Sequence, residues 1–139
     1  DGTDDILWFN AATGAVGQFE MHDGTPTWRD IGMAGSGWEV VGSGDFNGDG
    51  TDDILWFNAG TGAVGQFEMN DGAATWRAIG RSGNSNWEAV GSGDYNGDGT
   101  DDILWFNEVT GAVGQYQMND GAATWQGIGN AGDDWEVIA

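Results

Sequence analysis

Oxygen-bearing residues recur at every second position in Asp45-Phe46-Asn47-Gly48-Asp49-Gly50-Thr51-Asp52-Asp53, which makes this stretch a candidate cation loop. Side-chain oxygens of Asp45, Asn47, Asp49 and Asp53, with the main-chain carbonyl of Thr51, form an all-oxygen set. Ca²⁺ takes about 6 to 8 such ligands, and Gly50 gives the sharp turn that lets them converge. An EF-hand would need a bidentate Glu at the twelfth position and a helix on each side. Trp56 stands there instead, inside an Ile-Leu-Trp-Phe run, so the loop is expected to join two strands. A metal-free Asx turn draws on the same residue types. The full repetition of the spacing at Asp94, Asn96, Asp98, Thr100 and Asp102 favours calcium. A third copy keeps only Asp1, Thr3 and Asp5, the last three loop positions, and is expected to hold an ion weakly or not at all.

Other chemistry is poorly supported, and the chain reads as a non-enzyme. His22, the single histidine, stands where the other copies have Asn70 and Asn119. The sequence offers it no serine or cysteine partner of the kind a nucleophilic triad requires. Paired carboxylates such as Asp52 and Asp53 could serve glycoside hydrolysis, but they recur in every copy, as structural ion sites do and active sites seldom do.

The elements that position these loops follow from an internal repeat. Asp1 to Asn10 returns at Asp49 to Asn58 and again at Asp98 to Asn107. The spacing between Gly32 and Trp38 grows by one residue between Gly80 and Trp87, which marks a surface connection. Within one repeat, Trp38 to Phe46 alternates as a strand and the metal loop follows. Asp53 to Asn58 is a continuous apolar run, the pattern of a strand buried on both faces. Ala63 to Met69 alternates again, Asn70-Asp71-Gly72 is a hairpin signal, and Thr75 to Ile79 is a fourth strand. Four short antiparallel strands in about 48 residues, repeated, are the unit of a β-propeller blade.

The repeat resembles the FG-GAP and VCBS-type repeats of integrin-alpha-like β-propellers, in the bacterial form D-F-N-G-D-G-x-x-D-I-L-W. The resemblance rests on Gly44 to Asn58, Thr61-Gly62 and Met69-Asn70-Asp71-Gly72 with their counterparts in the other copies, and covers essentially the whole chain. It implies four-stranded blades, calcium in the loop between the first and second strands, and a secreted or cell-surface setting. Three repeats are fewer than the 4 to 8 blades typical of a closed ring, and the first lacks its first strand and half its loop. The expectation is therefore an all-β chain of β-propeller blades: blade 1 over about 1–37, blade 2 over about 38–86 and blade 3 over about 87–134. Residues 135–139 would serve as the first strand of a following or partner blade.

Composition sets the limits on partners. The 139 residues carry 23 acidic against 3 basic side chains, a formal charge of −20, so nucleic acid and anionic membranes would be repelled. No apolar stretch approaches the roughly 18 residues of a membrane span, so no membrane insertion is expected. Nine tryptophans and 39% apolar residues argue against disorder despite the acidity. With no cysteine, bound cations become the expected staple, and loops of this type fill where calcium is near millimolar, outside the cell. Trp8, Trp56 and Trp105, Trp28, Trp76 and Trp125, and Trp38, Trp87 and Trp135 recur at fixed places. Packing between blades accounts for most of them. Trp38, Trp87 and Trp135 follow the variable connection and are the candidates for stacking on a sugar ring. The functional expectation is a non-enzymatic, calcium-stabilised extracellular module that presents loops to a glycan or protein. The alternative is a scaffold segment of a larger secreted enzyme or adhesin. Self-association into a closed propeller, or membership of a longer chain, would cover the end blades.

Overall fold

The structure, a computed structural model, describes residues 2–82, 86–132 and 134–138. These form eleven strands in three antiparallel sheets, with no helix among the described residues. The first sheet contains β1 (Ile6–Asn10), β2 (Ala15–His22) and β3 (Thr25–Met33). The second contains β4 (Trp38–Gly44), β5 (Asp53–Asn58), β6 (Ala63–Asn70) and β7 (Ala73–Arg81). The third contains β8 (Trp87–Gly93), β9 (Asp102–Asn107), β10 (Ala112–Asn119) and β11 (Ala122–Asn130). Each sheet is a meander in chain order, and the three do not close on one another. They are the blades of a β-propeller, and the first lacks the strand that β4 and β8 supply to the others. Residues 134–138 make no strand pairing within the chain, and Ala139 lies outside the described residues.

Local chemistry fixes these hairpins. Asp71 has φ 48° and Gly72 φ 75°, the two positive values a type I′ turn requires, so Asn70 pairs directly with Ala73. Asn58 closes the preceding turn: its Oδ1 accepts from Gly60 N at 3.1 Å and its carbonyl from Gly62 N at 2.7 Å. Gly17, Gly65 and Gly114 sit mid-strand because the indoles of Trp28, Trp76 and Trp125 lie directly on them, where any Cβ would overlap the ring. The fourth strand of each full blade is longer than its sequence pattern indicates, running over Ala73–Arg81 and Ala122–Asn130.

Two apolar layers join the three sheets. Leu7, Phe9, Val16 and Ile31 of the first sheet pack on Ile54, Trp56, Phe67 and Met69 of the second. Leu55, Phe57, Val64 and Ile79, from the opposite face of the second sheet, pack on Ile103, Trp105, Tyr116 and Met118 of the third. An edge-to-face aromatic pair crosses each layer: Phe9 on Trp56 at 5.3 Å and Phe57 on Trp105 at 5.6 Å. Such a pair adds about 0.5 to 1.5 kcal/mol beyond area burial. β5 lies between the two layers and is buried along its whole length, as its continuous apolar run requires.

Candidate metal centre

Each loop between the first and second strands of a full blade is wound around its first aspartate. Asp45 Oδ1 accepts from Gly48 N at 2.7 Å and Asp49 N at 3.0 Å, and Oδ2 accepts from Gly50 N at 2.8 Å. Asn47 Oδ1 accepts from Asp49 N at 2.9 Å, and Asp49 Oδ1 from Thr51 N at 2.8 Å. Gly50, at φ 87°, makes the turn that a side chain would oppose. The third blade repeats the winding. Asp94 accepts from Gly97, Asp98 and Gly99, Asn96 from Asp98, and Asp98 from Thr100. These backbone donors hold the Asp94 carboxyl below its usual range, the Gly99 N–H most of all.

The ninth loop position behaves differently. Asp53 and Asp102 are fully buried; each accepts one main-chain N–H through Oδ1, from Met69 and Met118 respectively, at 2.9 Å. The Oδ2 atoms of both are buried with no hydrogen-bond partner. Burial pushes the Asp53 carboxyl up to about 6, assisted by the negative charges of Asp49, Glu68 and Asp45 and opposed by the Met69 N–H. Asp102 is raised in the same way, by burial and by Asp98 and Asp94. A buried carboxylate facing two others, with one oxygen unpaired, is an expensive arrangement unless a cation meets it.

The donor set fits a hard cation. Among the described residues no group of three or more Asp, Glu or His side chains is already converged on one point. The loop carboxylates are engaged by their own backbone N–H groups, and Asp45 Oδ1 and Asp94 Oδ1 accept two each, but Asp45 Oδ2, Asp49 Oδ1 and their counterparts in Asp94 and Asp98 accept one and keep a second lone pair to offer. Asp45, Asn47, Asp49, Thr51 and Asp53 would hold one ion, and Asp94, Asn96, Asp98, Thr100 and Asp102 another. In the first copy, Asp5 accepts from Met21 N at 2.9 Å but is exposed, and Thr3 is exposed too. Asp1 lies outside the described residues.

Several functional contacts escaped the sequence reading. Asp101 Oδ2 accepts the N–H of Asp45 at 3.0 Å, and Asp101 N donates to the Asp45 carbonyl at 2.9 Å, tying one blade's loop to the next. The equivalent Asp52 lies among Asp101, Asp45 and Asp4, and burial together with those charges raises its carboxyl. Arg29 pairs with Glu20 at 2.9 Å and Arg77 with Glu68 at 3.0 Å within their own blades, because register places them on adjacent strands. In blade 3 both members change together, to Gln117 and Gln126. That paired change was the signal available in the sequence.

The candidate ligand tryptophans divide. Trp38 and Trp87 are half-buried, edge-to-face against Trp76 and Trp125 at 5.0 and 5.1 Å. Each lines a cleft: Trp38 with Trp56, Phe67 and Trp76, of about 260 Å³, and Trp87 with Trp105, Tyr116 and Trp125, of about 380 Å³. The indole N–H groups of Trp56 and Trp105 are buried without a partner. Trp135 is exposed and joins neither cleft.

Residues 45–105 match the FG-GAP-like repeat family, from the first aspartate of the blade 2 loop to Trp105 of blade 3. No curated protein and no solved structure matches the chain. The FG-GAP-like match covers both complete candidate loops, Asp45–Asp53 and Asp94–Asp102, and ends within β9. It agrees with the propeller blades described above, and the chain is a β-propeller repeat module.

Proposed function

We propose that this module is non-enzymatic, is stabilised by two calcium ions, works outside the cell and binds a glycan. The observation that carries the calcium reading is the buried, partnerless Oδ2 of Asp53 and of Asp102, each beside a loop of carboxylates. The loops are open to solvent, with Asp49, Asp94 and Asp98 exposed, as weak sites filled at millimolar calcium would be. The glycan reading is supported by the two aromatic clefts, since flat rings suit a sugar face better than a broad protein surface.

Calcium titration by calorimetry tests the first part. Two ions per chain are expected, falling to one in Asp53→Asn or Asp102→Asn; three equal sites, or none, would sink it. A glycan array in calcium tests the second part, with Trp76→Ala and Trp125→Ala as controls for cleft binding. The exposed outer faces of the first and third sheets favour a second reading, a scaffold within a larger secreted enzyme or adhesin. Silence on the array with intact calcium binding would favour that scaffold.

A further inference from the structure

We propose, resting on the glycan reading of the two aromatic clefts, that the cleft between blades 2 and 3 selects a sugar bearing a carboxylate, a hexuronic acid unit, and that Arg81 is the residue that selects it. Both clefts lie at seams between blades of this chain, and their tryptophans correspond one for one: Trp38 with Trp87, Trp56 with Trp105 and Trp76 with Trp125. The differences lie around them. Met33, Ala34 and Phe67 of the first cleft become Arg81, Ser82 and Tyr116 in the second, so three apolar side chains give way to a guanidinium and two hydroxyls. The second cleft is also the larger, about 380 Å³ against about 260 Å³.

Arg81 is placed for an anion that the chain itself does not supply. The sequence has three basic residues among 23 acidic ones. Arg29 pairs with Glu20 and Arg77 with Glu68, but among the described residues Arg81 has no ion pair. It ends β7, is exposed and lines the cleft. Its main chain is tied across the seam, because the Tyr116 hydroxyl of β10 donates to the Arg81 carbonyl at 3.0 Å. Tyr116 also lies over Gly80, where a Cβ would be 3.4 Å from the same hydroxyl. Phe67 has no hydroxyl to give Met33 an equivalent tie. The backbone of Arg81 is thus held against the blade 3 wall of the cleft while its guanidinium stays free of protein acids. That planar group offers paired N–H donors matched to a carboxylate. The Tyr116 hydroxyl, having given its hydrogen to Arg81, can still accept one from a sugar hydroxyl. Trp125, half exposed beside it, offers indole surface to the sugar ring. The formal charge of −20 opposes anions at long range, so a single uronate drawn by a local arginine fits this cleft and a densely charged polymer does not.

Methyl glucuronide and methyl glucoside differ only in a carboxylate against a hydroxymethyl group, and NMR titration of the chain in millimolar calcium with each of them tests the selection. The glucuronide is expected to bind about three- to tenfold more tightly at low ionic strength, with the gap narrowing as salt is added. Its binding should perturb the signals of Trp87, Tyr116 and Trp125. Arg81→Met gives the second cleft the side chain of the first and should bring the ratio of the two affinities to about one. Arg81 has no ion pair to lose, so this variant is expected to melt like the unmodified chain. Equal affinity for the two sugars, a preference for the glucuronide that survives in Arg81→Met, or a preference seated at Trp38 and Trp76 would each overturn the proposal while leaving the clefts as glycan sites. Binding of neither sugar would overturn the glycan reading and the proposal together.

Discussion

Asp101 and Asp45, fifty-six residues apart, exchange two hydrogen bonds across the seam between blades 2 and 3: Asp45 N to Asp101 Oδ2 at 3.0 Å and Asp101 N to Asp45 O at 2.9 Å. Gly44 leaves room for this contact, since a Cβ there would lie 2.5 Å from the same Oδ2. Removing the carboxylate orphans a main-chain donor in a half-buried seam. Asp101→Ala should therefore cost about 1 to 2 kcal/mol in chemical denaturation. Asp101→Asn keeps the acceptor and removes a charge that crowds Asp52, so it should cost little or nothing. Equal losses in the two variants would mean that charge, and not the hydrogen bond, is what the seam uses.

Gly65 and Gly114 are required by the rings above them rather than by backbone angle, since neither has a positive φ. Alanine must displace Trp76 or Trp125 from the sheet, and overpacking of this kind costs about 1 to 3 kcal/mol. Gly127, a strand glycine with nothing within 4 Å of the place a methyl would take, is the control and should accept alanine without loss. Melting temperatures of the three variants check the contrast.

Calcium should reverse the sign of one substitution. Without calcium, Asp53 is a buried carboxylate with an unpaired oxygen beside other negative charges, so Asp53→Asn should stabilise the fold in chelator. With calcium the same variant loses a ligand and should be the less stable. A site filled at a hundredfold excess over its Kd adds about 2.7 kcal/mol. Denaturation in both buffers would show the crossing; a variant that is weaker in both conditions would remove the assigned role.

The penalty on Asp53 should also depend on pH. Its folded pKa of about 6 lies above the unfolded value of 3.8, so the folded state binds the proton more tightly. Calcium-free stability from this group is therefore fully present below pH 3.8 and is lost as pH rises through 6, by an amount on the order of 2 to 3 kcal/mol. The advantage of Asp53→Asn in chelator should be largest at pH 7 and vanish near pH 4. Calcium affinity should move oppositely, weakening as pH falls through 6. A stability difference that stays flat from pH 4 to 7 would show that Asp53 carries no such burial penalty.

The sequence by itself determined what short-range chemistry controls. The I′ turn at Asp71-Gly72, the Asx turn at Asn58, the alternation of β6 and the oxygen spacing of the two loops are set by residues within a few positions of one another. Those choices repeat wherever the sequence repeats, so the blades, their order and the candidate ligands were legible. The limits of the fourth strands were less clear, because β7 and β11 continue through Gly80 and Gly129, whose place is held by cross-strand pairing and not by propensity.

Only the tertiary structure decided which copy of a repeated residue is buried. Trp8 and Trp56 sit in nearly identical local sequence, yet one is half exposed and the other fully buried, because burial depends on whether another sheet lies against that face. The same reason separates Ile128 from Ile31 and Ile79, and exposed Asp5 from buried Asp53 and Asp102. The tie from Asp101 to Asp45 likewise joins residues one whole repeat apart, beyond the reach of any local pattern. Repetition of sequence fixes what each blade is, and the neighbouring blade fixes what each of its residues does.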